Sequence, residues 1–313
     1  RPWWPALACM VVAVLLRWPG LGTQSLWIDE IYSVEVTRWD LATVLTVQDG
    51  HPPLYALLQM LVARVVPPEV SGRVISAVAG VLSVGLLVAL GATLRGRRVG
   101  VVAGLLLACS PLHVWYSQEG RMYALAVLIA IASSLALVRA LAAGGAAWAF
   151  FAALSLCGVF TTYLYAGLVL AQGAFLLLEA RLDRRLLLAL AGAAGLGVAA
   201  IALFGREAVG FVNDQRGFEW MALPYVGFTF LGGFGLGPPI EALHRGRDLA
   251  AVLPYWPAVV VVAAAGLWIA VAGGRAALAA GAWGRYVLLW AIVPVLFVFA
   301  GSWARSGAFN ARY

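Results

Sequence analysis

Along the 313 residues, apolar runs long enough to cross a bilayer alternate with short charged connections. About 30 Å of hydrocarbon, crossed at 1.5 Å per residue, takes roughly 20 residues. Uncharged runs of about that size lie at Val74–Leu94, Val99–Gln118, Met122–Val138, Leu186–Gly205, Leu249–Gly274 and Tyr286–Ala304, with a shorter one at Pro2–Leu16. Ala140–Leu178 is about twice one crossing, which predicts two helices turning near Thr161-Thr162-Tyr163. The pattern therefore predicts an all-α polytopic membrane protein with about nine spans. Backbone polar groups in lipid need partners within a helix or a closed barrel, and no ten-residue alternation of a barrel strand is visible.

The segment from His51 to Val66 holds about 14 apolar residues between Pro52-Pro53 and Pro67-Pro68, short for a crossing. Arginine in short cytoplasmic loops fixes orientation, so the placement of Arg decides its role. If the segment does not span, Arg1, Arg95, Arg97, Arg98, Arg139, Arg181, Arg184, Arg185, Arg275 and Arg285 share one face with only Glu179 and Asp183. The other eleven Arg then face twelve acids on the opposite side. If it does span, the Arg-rich connections divide between the two faces. The segment thus reads as an interfacial helix on the outer surface, within a first outer loop from Gly22 to Gly72. The N-terminus is expected in the cytoplasm. Pro2–Pro19 has the length of a signal peptide but no small-residue cleavage site before Arg17-Trp18-Pro19, so it reads as an uncleaved first span. The chain starts without Met and stops just after a ninth span, which predicts a single transmembrane domain, residues 1–313, truncated at its C-terminus.

Composition sharpens this picture by exclusion. With 63% hydrophobic residues, 11% charged residues and a mean hydropathy of +0.93, a soluble or disordered chain is excluded. Cys9, Cys109 and Cys157 sit singly, which excludes a disulfide scaffold. The net charge of +7 is carried by scattered Arg and forms no stripe for nucleic acid. All 21 basic residues are Arg, a compositional bias without mechanistic weight.

Almost every acid falls outside, and Asp29, Glu30, Glu35, Asp40 and Asp49 crowd the first outer loop. Asp29-Glu30 follows Leu26-Trp27-Ile28, an aromatic stretch suited to the membrane interface, which holds two adjacent carboxylates near the headgroups. A solvated acidic loop is the plain alternative. The second constellation is Pro111 to Tyr123, at the outer end of the third span. There Glu119 and Arg121, two residues apart, supply a hydrogen-bond acceptor and a phosphate ligand, or an interfacial ion pair within an aromatic belt. His51 binds a phosphate or a metal or caps the interfacial helix, capping being the simpler reading. With His51, His113 and His244 unpaired in spacing, a zinc site has little support. An acidic Mg²⁺ or Mn²⁺ site is left open. Arg206–Asp248 is too polar to span; its Gly232-to-Pro239 run beside Phe228, Phe230 and Phe234 suits either a mobile cover over an active site or a loop packed on the bundle rim.

Three motifs in order, Leu26-Trp27-Ile28-Asp29-Glu30, His51-Pro52-Pro53-Leu54-Tyr55 and Gln118-Glu119-Gly120-Arg121-Met122-Tyr123, resemble the membrane glycosyltransferases of family 39 type. That group includes protein O-mannosyltransferases and the lipid A aminoarabinose transferase. Thr161-Thr162-Tyr163-Leu164-Tyr165 resembles a short outer turn of the bacterial members. The resemblance covers residues 1 to about 180, and the remainder only by hydropathy. It implies a GT-C fold with interfacial helices in the first outer loop, an active site facing away from the cytoplasm and a polyprenyl-phosphate sugar as donor. It also implies that Asp29 is the catalytic acid of the first loop, Glu30 its neighbour and Glu119 the acidic position of the second outer loop. Family members continue past an outer Arg-Tyr pair, where this chain ends at Arg312-Tyr313.

The physical reading agrees with that resemblance. Outside the cytoplasmic membrane a nucleotide sugar is not at hand, whereas a sugar on a lipid phosphate arrives within the bilayer. Displacement at the anomeric carbon, with inversion, needs a base for the acceptor hydroxyl and positive charge for the departing phosphate. Asp29 is the expected base. Arg121 is the expected phosphate contact with Arg73 as competitor, and His51, Tyr55 and Tyr123 complete the expected substrate-binding set. The expected partners are the donor, a lipid, glycan or protein acceptor, and membrane lipids. Asp29 and Glu119 are expected to converge on one outward-facing cavity. A transporter predicts ionisable groups within spans, and a noncatalytic membrane scaffold predicts dispensable acids.

Overall fold

The computed structural model describes residues 3–46, 51–179, 195, 222–233 and 253–304, and every described element is helical. The chain divides into two compact units, residues 1–109 with 113–213, and residues 110–112 with 214–313. In chain order the helices are α1 (Trp4–Arg17), α2 (Ile28–Val36), α3 (Leu41–Thr46), α4 (Leu54–Val62), α5 (Pro68–Arg95), α6 (Arg97–Cys109), α7 (Pro111–Gln118), α8 (Tyr123–Ala143), α9 (Ala146–Thr161) and α10 (Ala166–Glu179). A 3-10 turn, Tyr163–Tyr165, joins α9 to α10. The second unit contributes α11 (Ala222–Gly232), α12 (Trp256–Leu278) and α13 (Ala282–Ala304).

The all-α membrane architecture holds, but the expected nine spans are not all matched by helices of crossing length. Among the described residues four segments are long and apolar enough: α5, α8, Leu253–Leu278 and Ala282–Gly301. A fifth is added if α6 and α7, bent by 59° at Ser110, count as one broken span. With 14 and 16 residues, α1 and α9 rise only about 21 and 24 Å, short of the hydrocarbon thickness. Apart from residue 195, the expected span Leu186–Gly205 lies outside the described residues, as does most of Arg206–Asp248. Within the latter segment, Ala222–Gly232 is helical where the sequence reads as loop, and Phe228 and Phe230 stand on that helix. The turn near Thr161 is found: α9 stops there, Thr162 is extended, and the chain re-enters through the 3-10 turn. α4 is nine residues long, about 13 Å, too short to cross.

Local chemistry explains the boundaries. Pro67 and Pro68 open α5, where a missing amide costs nothing, and Gly96 closes it at φ 93°. Gly144 and Gly145, at φ 66° and 56°, turn α8 into α9 with a backbone that L side chains resist. Asp40 caps α3 by accepting the Thr43 amide at 2.7 Å, and the Thr43 hydroxyl and amide hold its carboxyl below the usual carboxylate range.

The core of the first unit is built on close backbone approach. Cys9 and Ala13 of α1 pack with Val84 and Val88 of α5 and Ala108 of α6. A Cβ on Gly91 would lie 2.7 Å from the Cα of Gly100, so α5 and α6 touch backbone to backbone. Small residues at helix contacts are how bundles in lipid gain van der Waals packing. In the second unit α12 buries no side chain, leaving Leu267 and Trp268 exposed as on a surface that faces lipid.

Candidate active site

The Asp29-Glu30 pair opens α2, where the helix dipole favours negative charge. Successive residues on a helix point about 100° apart, so the two carboxylates take different roles. Glu30 turns inward and is 3% exposed, while Asp29 is half-buried. The Glu30 carboxylate accepts from the amide of Gly120 at 2.7 Å, 90 positions away in sequence. A Cβ on Gly120 would sit 3.2 Å from the Glu30 carboxylate and 3.5 Å from the backbone nitrogen of Arg73, so a side chain there would crowd the contact.

Arg73, one turn into α5, closes on Glu30 with two parallel bonds: Nε donates to Oε1 at 2.8 Å and Nη2 to Oε2 at 2.6 Å. Its Nη1 donates to the carbonyls of Leu21 (3.1 Å) and Gln24 (2.8 Å), and Nη2 also to that of Ser25 (3.1 Å). A guanidinium has five N–H donors, and all five are placed. Arg73 is thereby the clasp that gathers the 21–25 segment, α2 and α5, with its charge cancelled by Glu30.

Arg121 is arranged differently. Its Nη1 donates to the Ser33 hydroxyl at 3.0 Å and reaches the Asp29 carbonyl at 3.4 Å, so the guanidinium lies along α2 one turn from Asp29. The Ser33 hydroxyl in turn donates to that Asp29 carbonyl at 2.9 Å. The Arg121 carbonyl accepts from Ser76 of α5, which ties the start of α8 to the same wall. Arg121 borders a cavity of about 50 Å³ whose lining includes Tyr32 and Ser33 of α2, His51, Tyr55 and Gln59 around α4, and Thr161 at the end of α9. At about 10–15 Å³ per water this holds a few waters or one substituent of a larger molecule.

The matched family pattern now bears on this geometry: that of dolichyl-phosphate-mannose-protein mannosyltransferases fits residues 50–205. Over these residues the chain is similar to membrane glycosyltransferases of GT-C type. No curated protein matches the chain significantly. The matched segment holds His51, Tyr55, Arg73, Glu119, Arg121 and Tyr123 and begins after Asp29 and Glu30, whose placement rests on geometry alone.

Of the residues singled out in the sequence, His51, Tyr55 and Arg121 border the cavity. Asp29 and Glu119 are not part of its lining, and it is their neighbours that are joined: Glu30 to Gly120, and the Asp29 carbonyl to Arg121. Glu119 is buried, and its carbonyl accepts from the Arg121 amide at 2.8 Å in a tight turn. Tyr55 is buried. Its hydroxyl donates to the Gly72 carbonyl at 2.9 Å and lies 3.2 Å from the Ser76 hydroxyl. Burial pushes its pKa well above the ordinary phenol value, so it serves as a neutral donor and not as a base. The Tyr123 ring packs on Tyr116, with centroids 4.8 Å apart. Among the described residues no group of three or more His, Cys, Asp or Glu is gathered as a cation cage.

Sequence reading missed Ser33, Gln59 and Thr161. Ser33 was within reach, since it follows Asp29 by four residues and so shares its helix face. Gln59 carries no local signal and Thr161 is marked only as part of an outer turn; both reach the cavity through packing of α4 near α9.

Proposed function

We propose that the chain transfers a sugar from a polyprenyl-phosphate donor to an acceptor hydroxyl at the outer face of the cytoplasmic membrane, with inversion at the anomeric carbon. The observation that carries this reading is the place of Arg121, which borders the cavity with its guanidinium 3.4 Å from the Asp29 carbonyl; Arg73, bonded to Glu30 and three carbonyls, is not part of that lining. In this reading Asp29 takes the proton of the acceptor hydroxyl. The acceptor oxygen then bonds to the anomeric carbon while the bond from that carbon to the phosphate oxygen breaks. The polyprenyl phosphate departs with the electron pair, and its charge is met by Arg121. His51, Tyr55 and Tyr123 frame the substrate side, and Glu119 holds the acidic position of the second outer loop. The Glu30–Arg73 pair keeps α2 at a fixed distance from the 119–121 turn, and correct placement of reacting groups is a large share of such catalysis.

The test is to incubate the purified chain in nanodiscs with a series of labelled polyprenyl-phosphate sugars, mannose among them, and an extract of membrane acceptors. The reading expects the label to leave one donor and join an acceptor, with release of polyprenyl phosphate and a changed anomeric configuration. Discharge of none of the donors, with donor binding absent, contradicts it.

A further inference from the structure

A third buried arginine lies outside the site and has no part in the reaction as described. Arg17, the last residue of α1, is 0% exposed, and it is bonded to backbone carbonyls, a hydroxyl and an imidazole. Its five donors are all placed. Nη1 donates to the carbonyls of Ala13 (3.3 Å) and Ala108 (2.9 Å), Nη2 to the carbonyl of Leu107 (3.1 Å), and Nε to the Ser117 hydroxyl (3.2 Å). The fifth contact, Nη2 to His113 Nδ1 at 2.8 Å, fixes the imidazole, because a guanidinium can only donate. His113 is therefore a neutral acceptor at Nδ1.

These partners stand on both sides of the 59° break between α6 and α7. A helix end leaves its last carbonyls without intrahelical donors, and Pro111 brings no amide across the gap. Arg17 supplies the donors to the end of α6 and, through His113 and Ser117, grips α7 on its other side. The backbone repeats the grip, since Gln118 donates to the Arg17 carbonyl at 3.2 Å. On α5 a Cβ at Gly80 would fall 2.2 Å from the Ser117 hydroxyl and 3.1 Å from Arg17 Nε, so only glycine leaves room for the junction. Beyond Gln118 there is no slack. The next residues are Glu119, Gly120 and Arg121, folded by the bond from the Arg121 amide to the Glu119 carbonyl and docked on Glu30.

We propose that Arg17 is a positioning residue: its guanidinium sets the angle of α7 and thereby places Gly120 against Glu30 and Arg121 beside α2. This rests on the reading of Arg121 as the donor-phosphate contact. A lysine keeps the charge but cannot span five acceptors with one ammonium, so the fork geometry is the property at stake.

The experiment uses Arg17→Lys and, independently, Ser117→Ala/Gln118→Ala, each in nanodiscs. Amide exchange of the peptide that contains residues 119–121 and the donor KM are measured beside thermal unfolding. In a variant that still unfolds cooperatively, the expected result is at least tenfold faster exchange at 119–121 and a donor KM raised roughly tenfold, with kcat changed less. A purely packing role would instead lower the unfolding temperature and leave the donor KM unchanged. Wild-type exchange at 119–121 and wild-type KM in either folded variant overturn the proposal, and if Arg17→Lys does not fold, the double variant decides. If the wild-type chain transfers no sugar, the functional reading fails while the exchange measurement still decides the role of Arg17.

Discussion

Glu30 and Arg73, 43 positions apart in sequence, form a two-point ion pair at 2.8 and 2.6 Å that is closed off from solvent. Three backbone carbonyls complete the arginine and the Gly120 amide adds to the carboxylate, so the pair joins α2, α5 and the 119–121 turn. Removing one partner of such a pair strands a buried charge, at a cost of about 3–5 kcal/mol. Glu30→Gln is accordingly expected to destabilise the chain by roughly that amount in denaturant unfolding. The double variant Glu30→Leu/Arg73→Met should recover only part of the loss, because the carbonyls of Leu21, Gln24 and Ser25 lose their donors. Full recovery in the double variant would show that those carbonyls are satisfied otherwise.

Tyr55 offers a pH test with a definite sign. Its folded pKa is raised by burial above the ordinary value of 10.0. Below about pH 10 both folded and unfolded chains carry the proton, and the folded state keeps its full stability. As pH rises past the unfolded value, the unfolded chain loses the proton first and stability falls. Tyr55→Phe should remove this alkaline loss. It should also cost about 0.5–1.5 kcal/mol at neutral pH for the bond to Gly72. An unchanged alkaline slope in the Phe variant would exclude Tyr55 as its source.

Arg121 and Arg73 are separable by what each loses. A hydrogen bond to a charged group is worth about 1.5–3 kcal/mol, so Arg121→Ala is expected to weaken donor binding roughly 10- to 100-fold while the chain stays folded. Arg73→Ala should act chiefly on unfolding. Donor affinity unchanged in Arg121→Ala, and weakened in a folded Arg73→Ala, would pass the phosphate to Arg73.

How far the sequence carries the fold depends on range. The hydrophobic runs mark the long helices, and the length of Ala140–Leu178 places the turn at Thr161, because span length is set by bilayer thickness alone. The break within Val99–Gln118 is hidden by continuous apolar character, although Ser110-Pro111 is its local mark. Crossing length also requires enough continuous helix, and α1 and α9, with 14 and 16 residues, do not by themselves confirm the spans expected from their apolar runs. At the site, the Asp29-Glu30 pair is visible as two adjacent acids, but which one turns inward is set by Arg73 and Gly120, 43 and 90 positions away. Arg17 reads as a flanking charge at the end of a span, and only contacts across 90 or more positions show it as buried.

The most direct test of the account is the rate of sugar transfer by Asp29→Asn in nanodiscs under saturating labelled polyprenyl-phosphate donor, with donor binding measured on the same preparation. The amide keeps the shape of the side chain and removes the proton acceptor, so transfer should fall by about 10² or more while donor binding is retained. A folded Asp29→Asn chain that binds donor and transfers sugar at the wild-type rate would contradict the account.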